Sequence, residues 1–175
     1  AYRVRPAPLP AGKFETGTGN FEHIRGLHGA LQHFEWFGET FGAPYAADLR
    51  LRFSGRRLLY QQAMTALQMH ETELSQDLIT ALGSVPGLKP YGIMDPLRVL
   101  ERVPTFSFTL AGKTLQVVAS ALGDAGIYVW NGNFYALEVT TTLGLEASGG
   151  LVRVGATHYN TNEEVHRLKE ALLSL

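Results

Sequence analysis

Leu151 to Leu168 reads "LVRVGATHYNTNEEVHRL", a short β-branched run broken by one arginine, then a polar turn, then a helical pattern. Leu151 to Ala156 reads as a strand from its valines and alternation. Asn162 to Leu175 is predicted to be a terminal helix. Its start is written in the residues: Thr161 and Glu164, three places apart, make a capping box, the threonine accepting from a first-turn N–H and the glutamate reaching back. Arg153 stands inside an otherwise apolar strand, and a buried arginine head group needs an anionic partner. A structural carboxylate or a substrate's carboxylate would each serve.

Working upstream, "GIYVW" (Gly126 to Trp130) and "TFSFTLAG" (Thr105 to Gly112) carry strand-type residues, with a helix expected from Thr114 to Leu122. Between strand and helix, "WNGNFYAL" (Trp130 to Leu137) forms a polar turn. Asn133 and Tyr135 in it either line a cleft or belong to an ordinary turn. The C-terminal half therefore reads as a small α+β layer, set off by the Gly/Pro turn "GSVPG". Before that turn, leucines from Leu51 through Leu82 mark a long helix from about Tyr45, bent near Ser54-Gly55. An earlier helix, Phe21 to Phe37, places Ile24, Leu27, Leu31, Phe34 and Phe37 on one face. Gly26, Gly29 and Ala30 within it permit close helix contacts. The expected organisation is an arm, loop and helix over 1–44, a long bridging helix over 45–84, and a small α+β domain over 85–175. No internal repeat or low-complexity segment interrupts it.

Ahead of the first helix stands "FETGTGN" (Phe14 to Asn20). Glycines let backbone N–H groups approach a ligand closely, the Thr18 hydroxyl adds a donor, and a helix N-terminus favours negative charge. Phosphate is the natural ligand, with a plain turn as the bland alternative. The loop matches neither the P-loop nor the dinucleotide glycine pattern, since Glu22 stands where the latter needs its last glycine. His28 and His33 are five apart, and His70 opens "HETEL", which lacks the spacing that puts two zinc ligands on one helix face. No metal is expected.

The 175 residues are 45% hydrophobic and 18% charged, the composition of a globular protein able to bury a core. Fifteen Lys plus Arg against sixteen Asp plus Glu give a formal net charge of −1, without a basic run to favour nucleic acid or anionic membrane. No apolar stretch approaches the roughly 20 residues of a membrane helix, and a cytoplasmic location is expected. The sequence contains no cysteine, which removes disulfides, thiolate metal sites and a cysteine nucleophile. It opens on the Pro-rich "AYRVRPAPLPAG" without a methionine, and we expect a piece of something longer.

Taken in order, "FETGTGN", the long helix, "VPTFSFTL", "AGIYVWNGNFYALE" and "RVGATHYNTNEEVHRL" resemble the C-terminal part of class V aminotransferase-type enzymes, especially the cysteine desulfurase-like branch. That resemblance implies the small domain of a fold-type I, pyridoxal phosphate-dependent transferase, with an antiparallel or mixed sheet packed by helices, working as a homodimer on a small amino acid. It implies that Gly17 and Thr18 hold the phosphate of the partner subunit's cofactor and that Arg153 binds the substrate carboxylate in a bidentate fashion. It also implies that Asn133 and Tyr135 face the substrate side chain.

Two departures limit what the resemblance carries. The family's Schiff-base lysine lies upstream of the Gly-Thr element, and none of Lys13, Lys89, Lys113 or Lys169 falls at its position. The chain alone is therefore expected to be inactive. Desulfurases carry a sulfur-accepting cysteine where Tyr135 stands here, and many have an arginine at the position of Trp130. The parent is expected to be a desulfurase-like enzyme of altered chemistry, an aminotransferase, β-lyase or epimerase. The alternative is a non-catalytic dimerisation or binding module that retains the small-domain fold.

Overall fold

The structure, a computed structural model, describes residues 18–175. They fall into two compact units that divide between Ala66 and Leu67.

In the first unit, helix α1 (Phe21–Phe41) begins where the Asn20 side chain accepts a hydrogen bond from the His23 N–H at 3.1 Å. A 3₁₀ turn, Ala43–Tyr45, carries Pro44 at its start and leads into the short α2 (Ala46–Leu49). The long helix expected from about Tyr45 is interrupted here. Helix α3 (Gly55–Gly83) starts only at Gly55, whose φ of 55° belongs to the left-handed region that glycine enters without a Cβ penalty. Close helix contact also falls elsewhere than at Gly26 and Gly29, which have nothing within 4 Å of where a Cβ would sit. It falls at Gly38, where a Cβ would lie 2.2 Å from the Leu59 carbonyl oxygen, and at Gly42, 2.4 Å from the Gln62 Cβ. Polar bonds fix the crossing: the buried Gln62 donates to the Gly42 carbonyl at 3.0 Å, and Glu35 accepts from both Arg56 and the Tyr60 hydroxyl.

The second unit contains the rest of α3 and a four-stranded antiparallel sheet. Its strands β1 (Leu88–Tyr91), β2 (Thr105–Leu110), β3 (Trp130–Gly132) and β4 (Leu151–Gly155) lie in the order β1-β2-β4-β3. Helices α4 (Leu115–Asp124), α5 (Leu137–Thr142) and α6 (Asn162–Leu173) complete it. Period-two alternation sets the two faces of the sheet. Phe106 and Phe108 of β2 pair with Val154 and Val152 of β4, all buried, and join Val118 and Leu122 of α4, Leu168 and Leu172 of α6, and Leu74, Leu78 and Leu82 of α3 in one core. The other face carries a row in register across all four strands: Tyr91, Ser107, Arg153 and Trp130. The expected α+β layer is present, and of the antiparallel or mixed sheet that the family resemblance implied, the structure has the antiparallel form. One strand starts late: the run expected from Gly126 pairs only from Trp130 onward. Gly126, at φ 74°, ends α4, and the Ile127 N–H bonds back to the Leu122 carbonyl at 2.8 Å, which commits those residues to the helix terminus.

Candidate functional site

Arg153 sits in the middle of β4, between Val152 and Val154 whose side chains enter the core, so alternation turns its own side chain to the open face. It is exposed, and no carboxylate among the described residues pairs with it. Among the described residues, the structural ion pair that its apolar setting suggested is not made. Arg102 shows the opposite case. Its guanidinium donates to the carbonyls of Ile93, Val103 and Thr105 and lies over the Phe106 ring, and its pKa is lowered by burial. Arg102 is spent on structure, whereas Arg153 keeps its donors.

Phe134 covers the Arg153 head group, with the guanidinium carbon 4.5 Å from the ring centroid. This contact was not read from the sequence, where Phe134 is one of several aromatic residues in a turn. The turn itself is built by Asn133: its Oδ1 accepts from the Tyr135 N–H at 3.2 Å, its carbonyl from the Ala136 N–H at 2.7 Å, and its Nδ2 donates to Glu146 Oε1 at 3.3 Å. Both polar atoms of the Asn133 side chain are thus engaged. Phe134 and Tyr135 take positive φ values of 55° and 59°, rare for residues with a Cβ. Tyr135 projects fully into solvent. Trp130 of β3, the register partner of Arg153 on β4, is 64% exposed.

Downstream of Arg153, the "HYNT" stretch holds the junction between β4 and α6. Asn160 Oδ1 accepts from the Thr157 N–H at 2.8 Å, its Nδ2 donates to Glu164 Oε2 at 2.9 Å, and the Asn160 carbonyl lies 3.0 Å from His70 Nε2. The expected capping box is present, Thr161 accepting from the Glu164 N–H while Glu164 accepts from the Thr161 N–H. These bonds from Asn160 and the Thr161 backbone lower the Glu164 pKa. A separate cavity of about 410 Å³ opens where the β3–β4 ladder stops, lined by Ile127, Tyr128, Val154, Tyr159, Asn160 and Arg167 among others. Arg153, Asn133 and Tyr135 do not line it.

The loop "FETGTGN", expected to hold a phosphate, falls only partly within the described residues. Gly17 lies outside the described residues, and Thr18 is exposed, two residues before the Asn20 cap. Thr18 belongs to the first unit, and Arg153, Asn133 and Tyr135 to the second. Of the lysines, Lys13 also lies outside the described residues. Lys89 is on β1 with its ammonium over the Tyr91 ring, Lys113 follows β2, and Lys169 is on α6, the helix packed against the opposite sheet face. The described residues do not complete a pyridoxal phosphate site. Among the described residues no cluster of His, Cys, Asp or Glu could hold a metal, and no helix is long and apolar enough to cross a membrane.

Residues 42–168 match the family model for class-V aminotransferases. A probable cysteine desulfurase of Mycobacterium leprae (strain TN) is 31% identical over 156 residues, which cover 89% of this chain and 20% of that protein. An aminotransferase-like protein of Gibberella zeae is 39% identical over 115 residues, covering 64% of this chain and 28% of that protein. Among solved structures, the apo cysteine desulfurase from Thermococcus onnurineus NA1 aligns with a TM-score of 0.58 at 25% identity, over 68% of this chain and 28% of that chain. The chain thus spans less than a third of the length of each of these proteins.

Proposed function

This chain belongs to the class-V aminotransferase family, and on that premise we propose that it serves as the C-terminal portion of a pyridoxal phosphate-dependent, amino-acid-transforming enzyme. The observation that carries this reading is Arg153: a rigid strand holds a planar guanidinium on an open face, without a carboxylate among the described residues to satisfy it. It receives the α-carboxylate of a small amino acid and fixes the orientation of its Cα. Tyr135 and Asn133 border the substrate side chain, Tyr135 through its exposed ring. Gly17 and Thr18 hold the cofactor phosphate of the partner subunit in a homodimer. The cofactor itself supplies the electron sink, and its lysine lies outside these residues. Tyr135 stands where the desulfurase-like resemblance places the sulfur-accepting cysteine and this chain has no other thiol. These residues therefore supply no thiolate, which favours transamination, β-elimination or epimerisation over desulfuration.

The product of the intact reading frame, purified with pyridoxal phosphate, tests this. Borohydride should fix the cofactor to a lysine outside the present 175 residues, and amino acids should be turned over. An intact product that binds no cofactor overturns the reading.

A second reading, a non-catalytic dimerisation or binding module, is favoured by one feature. Phe21, Ile24 and Leu27 of α1 are 72%, 56% and 64% exposed along one helix face. Light scattering separates the two: a stable dimer from a reading frame no longer than this chain supports the module.

A further inference from the structure

Resting on the carboxylate role of Arg153, we propose that Phe134 is a positioning residue that holds the Arg153 guanidinium flat and leaves its in-plane N–H edge as the one route by which a carboxylate can approach.

A guanidinium offers two kinds of surface. Its faces stack on aromatic rings, while its N–H donors all point outward in the plane and form the fork that a carboxylate fits. A ring on one face therefore does not compete with a carboxylate at the edge. The Arg153 guanidinium carbon lies over the Phe134 ring, 4.5 Å from its centroid, the placement from which a face-on stack is inferred. Trp130 is paired with Arg153 across the β3–β4 ladder and so projects from the same side of the sheet.

Phe134 is itself held in place. Its φ of 55° is unfavourable for a residue with a Cβ and persists because the surrounding bonds determine it. Asn133 closes the turn through the Tyr135 and Ala136 N–H groups, and Glu146 anchors the Asn133 amide while accepting the Thr140 hydroxyl. On the other side Gly150, at φ 103°, packs so closely that a Cβ there would lie 2.2 Å from the Gly132 carbonyl oxygen. The turn is thus pinned to the residue just before β4, the strand that carries Arg153. Strain at Phe134 has a structural result: it puts a ring on the arginine. An arginine on an open sheet face otherwise samples many rotamers, and restricting them beforehand removes part of the ordering cost of binding.

The 175-residue chain can be examined directly by NMR at the Arg153 Nε–Hε group, with acetate as the probe carboxylate. In the wild-type chain this proton should be shifted upfield by the ring current and should move on adding acetate. Phe134→Leu should abolish the upfield shift and reduce the initial acetate response about threefold to tenfold, the loss expected for one side chain left unordered. Phe134→Tyr should retain both. A wild-type proton without the upfield shift overturns the proposal before any variant is made. So does a folded Phe134→Leu chain with an undiminished acetate response, or a Phe134→Tyr chain that behaves like Phe134→Leu. A wild-type chain that shows the upfield shift but no acetate response overturns the carboxylate role of Arg153, and the positioning role falls with it.

Discussion

His70 Nε2 lies 3.0 Å from the backbone carbonyl oxygen of Asn160, a bond between residues 90 positions apart. A carbonyl can only accept, so the imidazole Nε2 carries the proton. The bond ties the half-buried face of α3 to the turn that follows Arg153. His70→Phe keeps the ring and removes the donor, leaving the Asn160 carbonyl without it. We expect a loss of about 1 kcal/mol in urea unfolding, together with faster amide exchange at Thr157, whose N–H is held by Asn160 Oδ1. Unchanged exchange at Thr157 would show that the turn does not depend on α3.

Two glycines on α1 should respond in opposite directions to the same substitution. A Cβ at Gly38 would lie 2.2 Å from the Leu59 carbonyl oxygen, against rigid helix backbone. Gly38→Ala should destabilise the first unit by about 1–3 kcal/mol through overpacking. Gly26 has nothing within 4 Å, so Gly26→Ala should stabilise the helix by up to about 1 kcal/mol. Thermal melts of the two variants decide it, and equal shifts would mean that α1 does not pack on α3 through Gly38.

That contrast marks what the sequence could and could not convey. The pattern of small residues at Gly26, Gly29 and Ala30 signals that close contact is possible, but the choice of Gly38 and Gly42 depends on where the next helix crosses. Likewise the strand containing Arg153 and the capping box of α6 were legible, because alternation and the Thr161–Glu164 spacing are local rules. Strand pairing was not: "GIYVW" has strand composition, yet Gly126 and Ile127 are committed to the end of α4 and only Trp130 reaches β4. At the site, the exposure of Arg153 follows from alternation, but the stacking of Phe134 follows from an unusual backbone angle that no periodicity announces.

Tyr135 carries a positive φ of 59° with its side chain fully in solvent. Without packing to compensate, its left-handed backbone costs about 1–2 kcal/mol. Tyr135→Gly relieves that cost and loses roughly 0.4–1 kcal/mol through the freer unfolded chain. Stability should therefore hold steady or rise slightly, while turnover by the intact enzyme should fall if the ring borders the substrate. A melting temperature several degrees lower would show that the ring makes a stabilising contact.

The α6 capping box should fail on the acid side. Its Glu164 carboxylate is held below the ordinary range, first by the Asn160 amide and then by the Thr161 N–H. A carboxylate with a depressed folded pKa contributes its stability in full above the unfolded value of about 4.3 and loses it as pH falls through the lower folded value. Amide protection in the first turn of α6 should therefore drop below about pH 4. In Glu164→Gln that acid step should vanish, since glutamine does not titrate. A step that persists in Glu164→Gln would assign it to another carboxylate, Glu163 being next in line because its pKa is also lowered.

The sharpest test of the site compares Arg153→Lys with Arg153→Ala in the intact enzyme. An arginine grips a carboxylate with two parallel N–H bonds fixed in one plane, whereas lysine offers a point charge on a flexible stem. If charge alone mattered, Arg153→Lys would bind substrate nearly as well as wild type. Because β4 carries the head group and the Phe134 ring lies against it, we expect the lysine variant to recover little. KM should rise by about tenfold to a hundredfold in both, matching 1.5–3 kcal/mol for a hydrogen bond to a charged group. Most of the loss in kcat/KM should reside in KM, because the carboxylate is held in the ground state as well as in the transition state. A lysine variant with wild-type KM would overturn the bidentate role and leave Arg153 a general electrostatic attractant.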